Sequence, residues 1–417
     1  MKKIRFSIVL GSALLLISLF TFSAMAETLE WWMGTWQEKA ATQLVQEFEE
    51  QNPGIKIKTS FIPWDGMHGK YLIALKTGNA PDILSIAVGW GYEWSKAGFL
   101  LPLDQFINNS STDFGDWMAG AWNTGVIEDA VYGIPYRSDC IALFYNKDLF
   151  VKAGLDPEQP PQDWNQYLDY AIQLTKKVDG IYGSGLITAG EPLNLATRVL
   201  PFVYQNNGSI LNNSKTEAVI NQKPAVDAIK WVTELYTKYQ VEPKSNIQND
   251  AESIMELFKE GKIAMVMGGQ YNIPQVLNQT EINLGTALLP KNPTTGKRTV
   301  LMGGWNLTIT KDAESPESAF KFIEFLSRAD NMARLTIALP ARAAAYKSQY
   351  INKKYETDPL YLVNKEQLNY GILINIPYKQ QAKTIIAEEI QNILIGRKGV
   401  QKAMDDAAIR IEEIINR

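Results

Sequence analysis

The chain has 417 residues, 41 of them basic and 45 acidic, for a formal net charge of −4. That length is enough for two lobes with separate cores, and the acidity disfavours nucleic acid or an anionic membrane as partner. One cysteine, Cys140, and one histidine, His68, rule out an internal disulfide, a histidine-rich metal site and a Cys–His dyad.

The N-terminus reads as a leader. Lys2, Lys3 and Arg5 precede an almost continuous apolar run from Ile8 to Phe22, and Ala24-Met25-Ala26 has the small-x-small pattern of a cleavage site. The run is short for a membrane span, and cleavage is expected after Ala26. No cysteine follows, so a lipid-anchored start is not expected. The mature chain, near −7 once three positive charges are removed, is expected free in the periplasm.

From Glu27 onward strands and helices alternate. Thr28–Trp32 predicts a strand and Glu38–Glu50 an amphipathic helix with Ala41, Leu44, Val45 and Phe48 on one face. Asn52-Pro53-Gly54 is a turn into the strand Ile55–Thr59. A helix carrying Tyr71, Leu72 and Leu75 ends at Gly78, and Ile83–Val88 is a buried strand. This order predicts an α/β lobe with a largely parallel sheet. Ligands bind beyond the carboxyl ends of such strands, so Gly34–Gln37 and Gly89–Tyr92 are expected to face one crevice.

Val131–Phe150, VYGIPYRSDCIALFYNKDLF, predicts the first crossing between two lobes. Pro135 marks a strand edge, and Cys140–Tyr145 is a buried strand in which Cys140 acts as a small hydrophobe. Beyond it the sequence predicts helices at Trp164–Lys176, Leu193–Tyr204, Lys223–Tyr239 and Ala251–Lys259, the last capped by Asp250 and stopped by Gly261. A short strand is predicted at Tyr182–Ile187. Ile263–Met267 is read as a strand running into a second crossing at Gly268-Gly269-Gln270-Tyr271. Strands at Leu284–Leu289 and Thr299–Met302 lead to a Gly303-Gly304-Trp305-Asn306 turn. A helix starts at Ser315-Pro316, and two more, striped by Ile386, Ile390 and Ile393 and by Val400, Met404 and Ile411, end the chain.

Aromatic placement is the main functional signal. Trp36, Trp64, Trp90, Tyr271 and Trp305 stand in Gly- or Pro-rich turns rather than on periodic core faces, and flat aromatic faces suit the C–H faces of sugar rings. Gln37, Gln270 and Asn306 place amides beside them. Arg137 and Asp139 interrupt an apolar context, as an internal ion pair or as donor and acceptor for vicinal hydroxyls. Arg342, in Leu339-Pro340-Ala341-Arg342, is read the same way or as a solvated surface charge. His68 reads as a plain surface or helix residue. No zinc-ligand spacing, P-loop, dinucleotide fingerprint or nucleophile elbow is present, and no catalytic residue, cofactor or metal is assigned. The paired carboxylates of a glycosidase have no fixed spacing, so a secreted carbohydrate-active enzyme stays open as a remote alternative.

With these residues in view the chain resembles the extracellular solute-binding proteins of sugar ABC transporters, of the maltose- and trehalose-binding type. The resemblance spans the mature chain. It rests on the tryptophan-rich first strand, FEEQNPGIKI (48–57), GNAPDIL (78–84), the crossing stretch, GKIAMVMGGQY (261–271), the GGW segment and SPESAFKFIEFL (315–326). It implies a two-lobed periplasmic-binding-protein fold with crossing hinge segments and a ligand cleft between lobes: residues 27–137 and 275–328 in one, 138–274 and 329–417 in the other. It implies a receptor that binds a mono- or oligosaccharide by cleft closure and delivers it to permease subunits in the inner membrane; the sequence gives no reason to expect an oligomer, and a monomer is expected. Glycerol phosphate or a polyamine is the alternative ligand. Asp139 falls where relatives place a carboxylate on the sugar, Tyr271 where many stack a tryptophan, and Trp305 and Arg342 at the GGW and P-x-R positions. One departure is Ile86-Ala87-Val88, where some relatives are acidic; a carboxylate–hydroxyl contact would have to come from elsewhere, with Asp65 and Glu93 as candidates.

Overall fold

The computed structural model describes residues 26–416 apart from 119, 187, 189–191, 337, 352, 375 and 377. The predicted leader spans residues 1–26, and all of it before Ala26 lies outside the described residues.

Alternating apolar side chains make β1 (Glu27–Gly34), burying Leu29, Trp31 and Met33. Helix α1 (Glu38–Gln51) turns Ala41, Leu44 and Phe48 inward. Then come β2 (Ile55–Ile62), α2 (Met67–Thr77), β3 (Ile83–Ala87) and α3 (Trp90–Lys96), with Gly78 ending α2 at φ 69°. The crossing stretch forms β4 (Ile134–Asp139) and β5 (Ile141–Asn146), parted only by Cys140. Helices α4 (Trp164–Lys177), α5 (Pro192–Gln205), α6 (Lys223–Thr237) and α7 (Ala251–Lys259) follow. Next are β6 (Met265–Gly269), β7 (Leu284–Ala287) and β8 (Gly303–Ile309), then α8 (Pro316–Leu326), α9 (Ala329–Leu335) and β9 (Leu339–Pro340). Helices α10 (Lys379–Leu394) and α11 (Val400–Ile415) end the chain.

Two sheets organise these elements. The first runs β9-β4-β8-β3-β1-β2 and the second β6-β5-β7. Only β2-β1-β3 is parallel; β8 lies antiparallel to β3 and β4, and β9 antiparallel to β4. The expected largely parallel sheet is therefore half right, because strands returning from late in the chain fill the other half. Under the first sheet Trp31 meets Phe322 edge-on at 5.2 Å, and Phe48 packs on Phe322 and Phe325. The second core stacks Trp164 on Trp231 at 4.8 Å, with the Trp164 Nε1–H held by Gln205 Oε1.

The chain passes from one sheet to the other at Cys140, within the stretch Val131–Phe150 and two residues beyond the expected 137/138 boundary. The other boundaries move. β6 stays in the second sheet through Gly269, and β7 pairs with β5 there, so the second crossing lies not at 268–271 but between Ala287 and Gly303. Likewise β9 pairs with β4 in the first sheet, so the 328/329 boundary falls beyond Pro340. The strand expected at Tyr182–Ile187 is reduced to single bridges from Tyr182 to Ile263 and Gly185 to Val266.

The Gly-Gly-Trp segment is not a turn. It opens β8, with Gly304 opposite Ser138 and Trp305 opposite Arg137, and a bulge follows Trp305. Gly304 has φ 137°, and a Cβ there would sit 2.2 Å from the Arg137 carbonyl oxygen. Gly304→Ala is expected to cost about 1–3 kcal/mol in backbone strain before that clash is counted. Urea denaturation reads it directly, and an unchanged midpoint would speak against this geometry.

A buried carboxyl beside the second sheet gives a pH prediction. Glu242, only 3% exposed, accepts hydrogen bonds from Ser184 Oγ at 3.1 Å and Asn246 Nδ2 at 2.8 Å. Burial pushes its pKa from 4.5 up to about 8. Across that interval the folded protein binds a proton that the unfolded chain releases. The contribution is complete below the unfolded value and is lost as pH rises through the folded one, at up to about 1.4 kcal/mol per pH unit. Glu242→Gln should flatten this part of the stability–pH curve; denaturation midpoints falling just as steeply in the variant would assign the slope to other groups.

Candidate functional site

The strand ends of the first sheet carry a tryptophan cluster. Trp36 follows β1, Trp64 follows β2, Trp90 begins α3 after β3, and Trp305 lies on β8. Trp36 meets Trp305 edge-on at 5.0 Å, Trp64 meets Trp305 at 6.0 Å, and Trp64 stacks on Trp90 at 5.8 Å and 10°. The Nε1–H groups of Trp36 and Trp90 are buried without a protein acceptor.

Trp36, Trp64 and Trp305 form one wall of a cavity of about 420 Å³. The opposite side comes from the second sheet and its helices: Ile141, Val266 and Met267, Tyr271 and Asn272 after β6, and Asn194, Thr197 and Arg198 on α5. Arg137 and Asp139, at the end of β4, lie where the two sides meet. The cavity thus sits at the passage between the sheets, beyond the carboxyl ends of β1 and β3, as expected for open α/β sheets.

Its polar floor is tightly held. Arg137, 5% exposed, donates from Nε to Asp139 Oδ1 at 2.8 Å. Gln270 donates to the same Oδ1 at 3.0 Å and to the Ser138 carbonyl at 3.1 Å, fixing the carboxylate from behind. The Arg137 guanidinium also lies over the Tyr271 ring at 5.5 Å. Burial disfavours its charge, but the Asp139 charge and hydrogen bond outweigh burial and hold its pKa above the ordinary arginine value.

A second cavity, about 450 Å³, adjoins the first across Trp64 and Lys383. It lies between α2 and α3 on one side and α10 and α11 on the other. Trp90 and His68 line it. His68 sits 5.0 Å from Trp90 and stacks on Trp94 at 5.5 Å, and burial lowers its pKa. Glu93 accepts the Gln380 backbone N–H at 3.1 Å, tying α3 to α10.

Six of the twelve sequence-predicted ligand residues line the first cavity: Trp36, Trp64, Arg137, Asp139, Tyr271 and Trp305. Trp90 lines the second, and Gln270 stands behind Asp139. Asp65 is exposed beside Trp64 and lines neither cavity. Three others, Gln37, Asn306 and Arg342, line neither cavity and have their polar groups engaged within the protein. Gln37 donates to the Leu335 carbonyl at 2.7 Å and accepts from the Tyr136 hydroxyl at 3.0 Å. Asn306 exchanges hydrogen bonds with Thr124. Arg342 donates to Asp116, the Ser327 carbonyl and the Asp113 carbonyl and lies over the Trp117 ring at 5.4 Å.

Two cations that the sequence reading passed over line the cavity: Arg198 and Lys383, 6% and 5% exposed. The signal was present. Arg198 is the single charge in the helix PLNLATRVLPFVYQ, and Lys383 stands on the apolar stripe of Ile386, Ala387 and Ile390. Cys140 is buried as expected, its Sγ donating to the Asn364 carbonyl at 3.1 Å, and burial raises its pKa. Among the described residues no group of three or more His, Cys, Asp or Glu could hold a metal ion, and no helix is long and apolar enough to cross a membrane.

Comparison with known proteins gives this geometry a context. The chain is 28% identical to the sn-glycerol-3-phosphate-binding periplasmic protein UgpB of Escherichia coli (strain 536), over 100% of this chain and 98% of the relative. In structure it is similar to an ABC transporter solute-binding protein from Thermotoga lettingae bound with alpha-D-tagatose, at a TM-score of 0.82 and 25% identity, covering 94% of this chain and 100% of that one. It shares the fold of the sugar-binding protein MalE from Xanthomonas citri at a TM-score of 0.79 and 23% identity, covering 93% and 97%. The family model of bacterial extracellular solute-binding proteins matches residues 34–333, and the chain belongs to that family.

Proposed function

We propose that this protein is a periplasmic sugar receptor. It takes a mono- or oligosaccharide into the cavity between its two sheets and hands it to the permease subunits of an ABC importer. The observation that carries this reading is the combination of an edge-on tryptophan wall, Trp36, Trp64 and Trp305, with a fixed Arg137–Asp139 pair across about 420 Å³. Tryptophan faces cover the apolar C–H surface of a sugar ring, while a carboxylate and a guanidinium exchange charge-assisted hydrogen bonds with neighbouring hydroxyls. The indole N–H of Trp36 supplies a further donor.

Cys140 and the segment 287–303, which carry the chain between the two sheets, are the hinges of the proposed closure, together with the point beyond Pro340 where the chain leaves the first sheet. Binding rather than hydrolysis is supported by the carboxylates. A glycosidase brings two to the scissile bond; among the described lining residues of this cavity Asp139 stands alone and is engaged by Arg137 and Gln270. A polyamine fits poorly for the same reason. The leader is proposed to be cleaved after Ala26, releasing a monomer into the periplasm.

A thermal-shift screen of the chain from Glu27 against sugars, polyols and polyamines tests the reading. A saturable rise in melting temperature with one sugar family and no product formed is the expected result, about 2.7 kcal/mol of stabilisation at a hundredfold excess over Kd. Stabilisation by polyamines alone would sink it.

A further inference from the structure

We infer that the ligand carries an anionic group, and that Arg198 on α5 is the residue that binds it. This deepens the sugar reading and rests on it: the ligand is an acidic sugar rather than a neutral one.

The argument begins with the difference between two buried arginines. Both line the same cavity and both are nine-tenths buried or more. Arg137 has its counter-charge within the protein, Asp139 at 2.8 Å. Arg198 has none among the described residues. Its Nη1 donates to the Asn194 carbonyl at 3.0 Å and to Thr197 Oγ1 at 3.3 Å, the Tyr271 hydroxyl is a further hydrogen-bond partner, all three neutral, and its Nε–H is buried with no acceptor. Burial pulls the Arg198 pKa below the ordinary arginine value, opposed only by the neighbouring Tyr271 hydroxyl, whereas Asp139 lifts that of Arg137.

A buried guanidinium without a counter-ion is costly, and one with an unfilled N–H more so. A bound anion would supply the missing charge. The rest of the cavity agrees. The two arginines that line it, Arg137 and Arg198, share the one carboxylate of Asp139, which Arg137 engages. Tyr271 spans the two arginines: its ring lies under the Arg137 guanidinium and its hydroxyl beside Arg198. A ring seated on the tryptophan wall, with its hydroxyls toward Arg137 and Asp139, can therefore present an anionic substituent to Arg198 from inside the same 420 Å³ space. A sugar carboxylate and a sugar phosphate share the required chemistry, an oxygen anion that accepts from a guanidinium.

The test is equilibrium binding followed by intrinsic tryptophan fluorescence on the chain from Glu27. The probes are matched pairs, glucose with glucuronate and galactose with galacturonate, together with glucose 6-phosphate and glycerol 3-phosphate. The acidic member of a pair is expected to bind about tenfold or more tightly than its neutral counterpart. Carboxylate against phosphate preference identifies the source of the charge. The advantage should collapse in Arg198→Met, persist in part in Arg198→Lys, and shrink with added salt. The wild-type comparison stands even if the methionine variant folds poorly.

Neutral sugars binding as well as or better than acidic ones would overturn the inference and leave the sugar receptor standing. Glycerol 3-phosphate binding with no sugar in either form would leave the anion subsite and remove the sugar reading. Failure of every probe to bind would count against both.

Discussion

Replacing Asp139 by alanine is expected to cost the folded protein about 3–5 kcal/mol and to abolish ligand binding. The reason is the charge left behind. Arg137 is 5% exposed and its Nε donates to Asp139; without the carboxylate it is a buried cation with no partner of opposite sign. The Gln270 amide loses an acceptor at the same time. Asp139→Asn, which keeps an acceptor but not the charge, should fall between wild type and alanine. The double variant Arg137→Met/Asp139→Leu removes both charges and should recover much of the stability while remaining unable to bind. That pattern separates the two roles of the pair, its share in the fold and its share in recognition. Urea denaturation of the four proteins measures it. An alanine variant as stable as wild type would mean that Arg137 finds another partner or reaches water, and would remove the fixed polar floor from the account.

Trp305→Ala is the second large effect, about 3–5 kcal/mol in stability for a buried tryptophan emptied to alanine. The indole is 5% exposed and packs against Trp36 at 5.0 Å, Trp64 at 6.0 Å and Trp90 at 6.1 Å. It links the wall of the cavity to the middle of the first sheet, where β8 runs between β3 and β4. Its loss should loosen the other three rings and weaken sugar binding by about a hundredfold, since a stacked aromatic face is worth roughly 1–3 kcal/mol in such contacts. Trp305→Phe keeps a ring and should recover most of the stability and part of the affinity. The spectrum gives an independent reading: emission of the remaining tryptophans should move to longer wavelength as Trp36 and Trp64 gain water. Unchanged stability and affinity in the alanine variant would place the ligand elsewhere.

How far the sequence discloses this molecule depends on how local each signal is. The period-2 pattern of Leu29, Trp31 and Met33, the helical face of Ala41, Leu44 and Phe48, the Gly78 stop and the Asp250 cap are all written within a few residues, and each element stands where it was expected. Arg137 and Asp139 also announced themselves, as charges in an apolar run. Pairing between distant segments was hidden. Gly303-Gly304-Trp305 has the composition of a turn, yet it is a central strand, because Ala87 and Arg137, far away in sequence, pair with Trp305 on either side. The same distance concealed β7, which joins β5 in the second sheet and moves a lobe boundary. Arg342 looked available because its partner Asp116 lies on a different segment. Arg198 was passed over for the opposite reason: a single arginine in a helix looks like an exposed charge until the helix is seen to bury it.

The central claim is that a sugar is held between the tryptophan wall and the Arg137–Asp139 pair. The most direct measurement is a crystal structure of the chain from Glu27 with the tightest sugar from the thermal-shift screen. The account predicts a ring against Trp305 or Trp36, with hydroxyls within hydrogen-bond distance of Arg137 and Asp139. A sugar found only in the neighbouring cavity beside His68 and Trp90, or on the outer surface with the space between the sheets collapsed, would contradict it.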